Sequence, residues 1–216
     1  MRAVQGGSRL KSYMKAPWDA TKAVLLNVIR HPLYTFANIP AAAPPSTVNL
    51  FQSTIGSSNL ARTNLEQAGI LPYPKTFWIR GVRVHVLQDI PFVDDAGQNA
   101  RALARLAEQY AMILKVGEKE FIRCGLWYFS SGLGVNFQAA AAGAEAANEL
   151  FSTETLGVAN HGNYFKIPSS LEIVIPPQQG FSGTLNNAGG IATLGAGAAD
   201  RVVQILLEGA LGRETQ

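Results

Sequence analysis

Three histidines, one cysteine and two close pairs of carboxylates are the residues best suited to do chemistry in this chain, and their spacing limits what they can do. His31, His85 and His161 lie far apart, and none has another histidine three to five residues away, so the chain has no linear zinc signature. His85, in a strand-like run, reads as a surface or packing histidine, and His161, between Asn160 and Gly162, as a loop residue. Cys124 is the single cysteine: it can form no intrachain disulfide, and in the apolar run between Ile122 and Trp127 it reads as a buried, inert thiol. Asp94-Asp95, just before Gly97, suit a helix N-terminus and lack the alternating oxygen ligands of a calcium loop. Glu118 and Glu120 flank Lys119; on a strand they merely share a face, which does not make a glycosidase pair. No Gly-x-Ser-x-Gly elbow appears, and Gly132-Leu-Gly134 and Gly195-Ala-Gly197 lack the third glycine of a dinucleotide loop and the lysine of a P-loop. The residues therefore predict no enzyme, no cofactor and no metal site.

The positions that do carry a signal are basic. Arg2, Arg9, Lys11, Lys15, Lys22 and Arg30 stand against Asp19 alone in residues 1–30, a balance of +5 within a net charge of +3, so residues 31–216 carry −2. An arm over residues 1–22 of this kind neutralises phosphates of nucleic acid or of lipid headgroups, with Arg2, Arg9, Lys11, Lys15 and Lys22 as the contacts. Elsewhere charge is scarce. Charged residues make up 15% of the chain, against about 25% in an average soluble protein, and 21 glycines accompany abundant alanine. Such a surface suits burial against neighbouring subunits. No stretch approaches the roughly 18 apolar residues of a membrane-spanning helix, and residues 23–29 lack the cleavage context of a secretory signal, so the expectation is a protein made and used without export.

The elements that must hold these residues are strands. Residues 163–167, 171–175, 181–185 and 201–208 are short, β-branched or aromatic, and stop at Pro168, Pro176-Pro177, Asn186-Asn187 and Gly209. Residues 23–29, 33–39 and 48–54 read the same way, with Leu33, Thr35, Ala37 and Ile39 on one face and the proline-rich stretch 40–46 as a connector. The longest strand runs over residues 76–87, with Trp78, Val82, Val84 and Val86 toward the core and Arg83 and His85 opposite. Residues 120–130 make a further strand, entered from a turn at Gly117. Two helices interrupt this pattern: a short one over 57–69, capped by Ser58 and stopped by Gly69, and a longer one over 96–114, with Leu103, Leu106, Tyr110, Ile113 and Leu114 at helical spacing. The alanine-rich stretch 138–150 reads as a short helix or a packed loop, and 189–199 as a small-residue loop. The whole predicts an all-β sandwich of one domain, residues 23–216, with one or two helical insertions behind the basic arm 1–22.

Three blocks then resemble the jelly-roll major capsid proteins of tailless icosahedral bacteriophages: NLEQAGILPYPKTFWIRGVRV at residues 64–84, LEIVIPPQQGFSGTLN at 171–186 and VVQILLEGALGR at 202–213. The likeness is one of pattern and spans about residues 50–213. It implies a single jelly roll of two Greek-key sheets that stands in a virion shell assembled in the host cytoplasm, its partners being further copies of itself, a second capsid protein, and the genome or an internal lipid membrane beneath the arm. The helix near 96–114 departs from the family pattern. The alternative is a carbohydrate-binding β-sandwich displaying an exposed aromatic row; Trp78, Trp127 and Tyr128 are the candidates, and their apolar neighbours predict core positions for them instead.

Overall fold

The computed structural model describes residues 26–58, 60–87, 105–129, 136–139, 152–155, 164–194 and 200–214. They form an all-β sandwich of two antiparallel sheets. In the first sheet the long strand β12 (Arg201–Glu214) is flanked along one edge by β1 (Leu26–Arg30) and β2 (Leu33–Ile39), laid end to end, and along the other by β4 (Thr76–Leu87). The far edge of β4 carries β9 (Phe165–Lys166) and β10 (Ile173–Ile175), again end to end. The second sheet has the order β3 (Thr47–Leu50), β11 (Phe181–Asn187), β5 (Tyr110–Val116), β6 (Lys119–Gly125). A separate ribbon pairs β7 (Asn136–Ala139) with β8 (Ser152–Thr155).

Alternation explains the two layers. Leu33, Thr35, Ala37 and Ile39 of β2 are buried while the residues between them are not, and Tyr110, Met112, Leu114 and Val116 repeat the pattern on β5. The inward faces meet in one core, where Phe77, Val84, Ile205 and Leu207 of the first sheet pack with Leu50, Leu114, Phe181 and Leu185 of the second. Burial of these side chains is the main force holding the layers together.

Helix-like spacing misleads at two places. Of the helix expected over 96–114, residues 105–109 are helical, residues 110–114 belong to β5, and 96–104 lie outside the described residues. Tyr110 and Leu114 satisfy a period of two as well as a period near four, and pairing with β6 and β11 on both sides selects the strand. The helix expected over 57–69 is replaced, among the described residues, by turns and bends. There Thr63 donates its hydroxyl to the Ser53 carbonyl and the Asn64 amide reaches across to β2, tertiary bonds that a helix would forgo. The alanine-rich stretch begins as strand β7 through Ala139, and its remainder lies outside the described residues.

A bulge corrects a third expectation. Gly81 faces Glu208 and Ile79 faces Gly209, so Arg80 has no opposite number on β12 and the parity of β4 flips at that point. Val82, Val84 and Val86 face the core as expected, and Phe77 and Ile79 join them, which turns Trp78 to the outer face. There it is 3% exposed, in a small cluster with Ala210, Val28 and Val174. Gly209 makes the bulge possible: a Cβ at this position would lie 2.0 Å from the Trp78 carbonyl oxygen.

Candidate functional site

Because every paired strand is antiparallel, the connections gather at two ends of the sandwich. One end holds the 51–75 connection, the Gly117-Glu118 turn and residues 176–180, tied together by bonds from Gly117 N–H to the Gly180 carbonyl (2.7 Å), Phe181 N–H to the Gly69 carbonyl (2.7 Å) and Gln178 N–H to the Leu71 carbonyl (2.8 Å). Leu26, the first described residue, pairs with Glu214 at the same end. We refer to it as the arm end. At the opposite end Leu194 N–H bonds the Ala41 carbonyl, Gly189 N–H the Gln109 carbonyl, and the Tyr110 hydroxyl the Pro45 carbonyl.

Large apolar side chains stand in solvent at both ends. Ile70, Tyr73 and Phe121 do so at the arm end, and Trp127 and Tyr128 at the other; Ile55 and Leu60 lie along the flank beside β2, and Leu171 on the opposite flank between β9 and β10. Core positions were expected for the aromatic trio, and two of the three are instead exposed: Trp127 at 66% and Tyr128 at 49%. The cause is local. β6 ends at Gly125, and the 3-10 turn Leu126–Tyr128 sends Leu126 inward and the two rings outward. Gly125 permits this, since a Cβ there would lie 2.3 Å from the indole nitrogen. The rings meet edge to face at 5.8 Å, and Tyr128 rests on Phe165 behind it.

The main cluster of charge lies on the outer face of the first sheet. Arg83, 3% exposed, places Nε 2.8 Å from Glu208 Oε1 and its guanidinium 4.9 Å from the centre of the Tyr164 ring. The exposed Arg30 approaches the same carboxylate at 3.8 Å. Two guanidinium groups thus converge on Glu208, whose role is to neutralise a buried cation. His85 faces Gln204 of β12 on this surface.

The remaining titratable groups are tied into the scaffold. His31 is bonded to Asn64, and its pKa lies below the usual imidazole value because of burial and the nearby Lys75, against the opposing pull of Glu66. Burial pushes the Cys124 thiol up, which keeps it protonated and unreactive at neutral pH. The Tyr110 hydroxyl is pushed up by burial as well. Glu118 lies in the turn, and Glu120 reaches Arg123 at 3.8 Å. Among the described residues no three of His, Cys, Asp and Glu come together, and no helix is long and apolar enough to cross a membrane.

Arg2, Arg9, Lys11, Lys15 and Lys22 lie outside the described residues, as do His161 and Asp94-Asp95. Sequence reasoning did not single out Ile70, Tyr73 or Phe121. For Tyr73 a signal existed: a tyrosine between Pro72 and Pro74 cannot sit in a central strand and must ride a loop. Phe121 carried none, because its exposure follows from a bulge: Leu114 faces Ile122 and Lys115 faces Glu120, leaving Phe121 as the extra residue of an edge strand. Compared with protein-family models, with curated proteins and with solved structures, the chain matches none of them.

Proposed function

We propose that this chain is a single jelly-roll subunit of a self-assembling icosahedral shell, the major capsid protein of a tailless bacteriophage, with a structural and not a catalytic role. The strand order carries this reading. Leaving the separate β7–β8 ribbon aside, and counting β1 with β2 as one row and β9 with β10 as another, the first sheet runs first, eighth, third, sixth, and the second runs second, seventh, fourth, fifth. That is the order produced when four nested antiparallel pairs roll up together, the double Greek key used by capsid and lectin domains and by cupins. Because a fold alone does not assign a function, a second observation is needed to choose among these. Large apolar side chains protrude from both ends and both flanks of a chain that is only 15% charged, which favours a protein whose surface is completed by copies of itself.

The test is the native mass by light scattering as concentration is raised, followed by negative-stain electron microscopy of the same sample. Rings or closed shells that grow with concentration are expected; a monomer at every concentration overturns the reading. Deleting residues 1–22 is expected to leave a folded body and to impair particle filling or attachment, and normal filled particles would remove that role from the arm.

Trp127 favours a second reading, a carbohydrate-binding module, since an exposed indole offers a flat apolar face to a sugar ring. A monomer that binds glycans, and loses that binding on Trp127→Ala, would select it.

A further inference from the structure

The outer face of the second sheet carries neutral polar side chains and is bounded at one edge by an aromatic ring. Pairing across its four strands sets Gly125, Ala111, Asn186 and Thr47 side by side in one row. The next row holds Arg123, Ile113, Thr184 and Asn49. Both rows point away from the core, because the residues that alternate with them, such as Met112, Leu114 and Leu185, are buried. Trp127 closes the first row. A Cβ on Gly125 would point the same way as that of Ala111 and would run into the Trp127 indole nitrogen, so the ring is folded back over Gly125 on this outer face. Its position is fixed from behind: Leu126 is buried, and Tyr128 meets the indole edge to face while resting on Phe165. Trp127 itself stays largely exposed.

The polar groups of these rows are not used by the fold. Among the described residues, the side chains of Thr47, Asn49, Thr184 and Asn186 bond to no protein group, and neither does the Trp127 indole N–H. Arg123, the one cation of the two rows, is countered by Glu120 at 3.8 Å. A phosphate backbone would need cations here, and a protein interface would need a larger apolar centre than Ile113 and Trp127 supply. A sugar ring matches both halves of the face: its C–H surface lies on the indole, and its hydroxyls exchange hydrogen bonds with amide and hydroxyl side chains. The row from Gly125 to Thr47 crosses three strand spacings, about 14 Å, which suits a short oligosaccharide and not a single sugar. We propose that the outer face of the second sheet binds a neutral oligosaccharide, with Trp127 as the stacking platform and Asn186, Thr184, Thr47 and Asn49 as the hydrogen-bonding floor. The inference rests on the second reading above for the indole, extends it to the sheet face, and holds whether or not the chain assembles.

The experiment applies the full chain to an array of neutral and acidic oligosaccharides and titrates the strongest neutral binder by calorimetry. Binding to a neutral glycan is expected, insensitive to salt and accompanied by protection of tryptophan fluorescence from acrylamide. Trp127→Ala should remove that protection and weaken binding by at least about tenfold. The joint change Thr184→Ala and Asn186→Ala should weaken binding about tenfold with the near-UV circular dichroism intact. If that variant does not fold, Asn49→Ala replaces it, since this side chain is exposed at the end of its row. Parent-like binding by Trp127→Ala overturns the platform and the proposal with it. Binding that is lost on Trp127→Ala but undiminished in the sheet variant overturns the sheet-face inference and leaves the second reading standing. No binding to any neutral glycan overturns both. Salt-sensitive binding confined to acidic glycans makes Arg123 and Lys115 the contacts and overturns the neutral class. Light scattering on the same samples reads the shell proposal separately: self-association lost on Trp127→Ala, with no glycan bound by the unmodified chain, makes this face a contact between copies and overturns the inference.

Discussion

Asn64 pairs with Tyr34 as a neighbouring strand would. Its side-chain Oδ1 accepts the Tyr34 backbone N–H at 3.1 Å, while its Nδ2 donates to the Pro32 carbonyl at 2.5 Å, so one amide side chain makes both bonds that a peptide unit would make to that edge of β2. The Tyr34 hydroxyl answers by donating to the Leu60 carbonyl. The 51–75 connection is thereby fastened to the outermost row of the first sheet, where an open edge would otherwise invite another chain.

Asn64→Ala is expected to cost about 1–3 kcal/mol, since it leaves a part-buried donor and acceptor without partners. Asn64→Asp should also destabilise, because a carboxylate can accept from Tyr34 but has nothing to donate to Pro32. Urea denaturation of the two variants beside the parent checks this; parent-like midpoints would reduce the Asn64 bonds to decoration.

His31 makes the same junction sensitive to pH. The second hydrogen on Asn64 Nδ2 points to His31 Nε2 at 3.1 Å, an arrangement that requires this nitrogen to be unprotonated. Burial, then Lys75, lower the pKa of His31 from its ordinary 6.5 in the folded state. The unfolded chain therefore binds more protons in this range, and stability rises with pH. The contribution is complete above about 6.5 and is lost as pH falls through that value toward the lower native pKa. Denaturation midpoints should fall between about pH 7.5 and pH 5, and His31→Gln, which cannot titrate, should flatten the slope.

Arg83 and Glu208 form the cluster in which removing one partner is worse than removing both. Glu208→Ala takes the carboxylate away from a guanidinium that is 3% exposed and should cost about 3–5 kcal/mol. Arg83→Met combined with Glu208→Leu should recover most of that loss. A double-mutant cycle read by thermal unfolding gives the coupling, and additive losses would show the pair to be independent.

Gly209 has no room for a side chain. With the Trp78 carbonyl oxygen 2.0 Å from where a Cβ would sit, Gly209→Ala must open the β4–β12 ladder at the bulge. A loss of about 3 kcal/mol or more is expected, or failure to fold. The exposed Gly190, with open space around its Cβ position but a φ of 66°, should lose only about 1 kcal/mol on the same change.

Much of the sandwich was legible because alternation and breakers act locally. Residues 33–39 and 76–87 were read with the bounds of β2 and β4, since Pro32, Pro40 and Pro74 fence them and their apolar residues alternate. What was not legible depended on partners distant in sequence. The face of Trp78 is set by a bulge against Glu208 and Gly209, and the strand at Tyr110–Val116 by neighbours on both sides. The exposure of Trp127 follows from a 3-10 turn where β6 runs out, and an aromatic run by itself does not say which rings face inward. The basic run over residues 1–22 was plain in the sequence, while the exposed apolar residues Ile70, Tyr73 and Phe121 became visible only when three separated segments met at one end of the sandwich.

β12 comes after every strand it pairs with, and one of its neighbours, β1, lies nearly the whole chain away: Leu26 sits opposite Glu214. During synthesis β1, β2 and β4 must therefore wait, each with an unsatisfied edge, until residues 201–214 leave the ribosome and close the gap between them. Folding is accordingly slow for a sandwich of this size, as expected where the closing contacts are the most distant ones. A nascent or truncated chain ending before Arg201 is the form most exposed to aggregation and to chaperone capture.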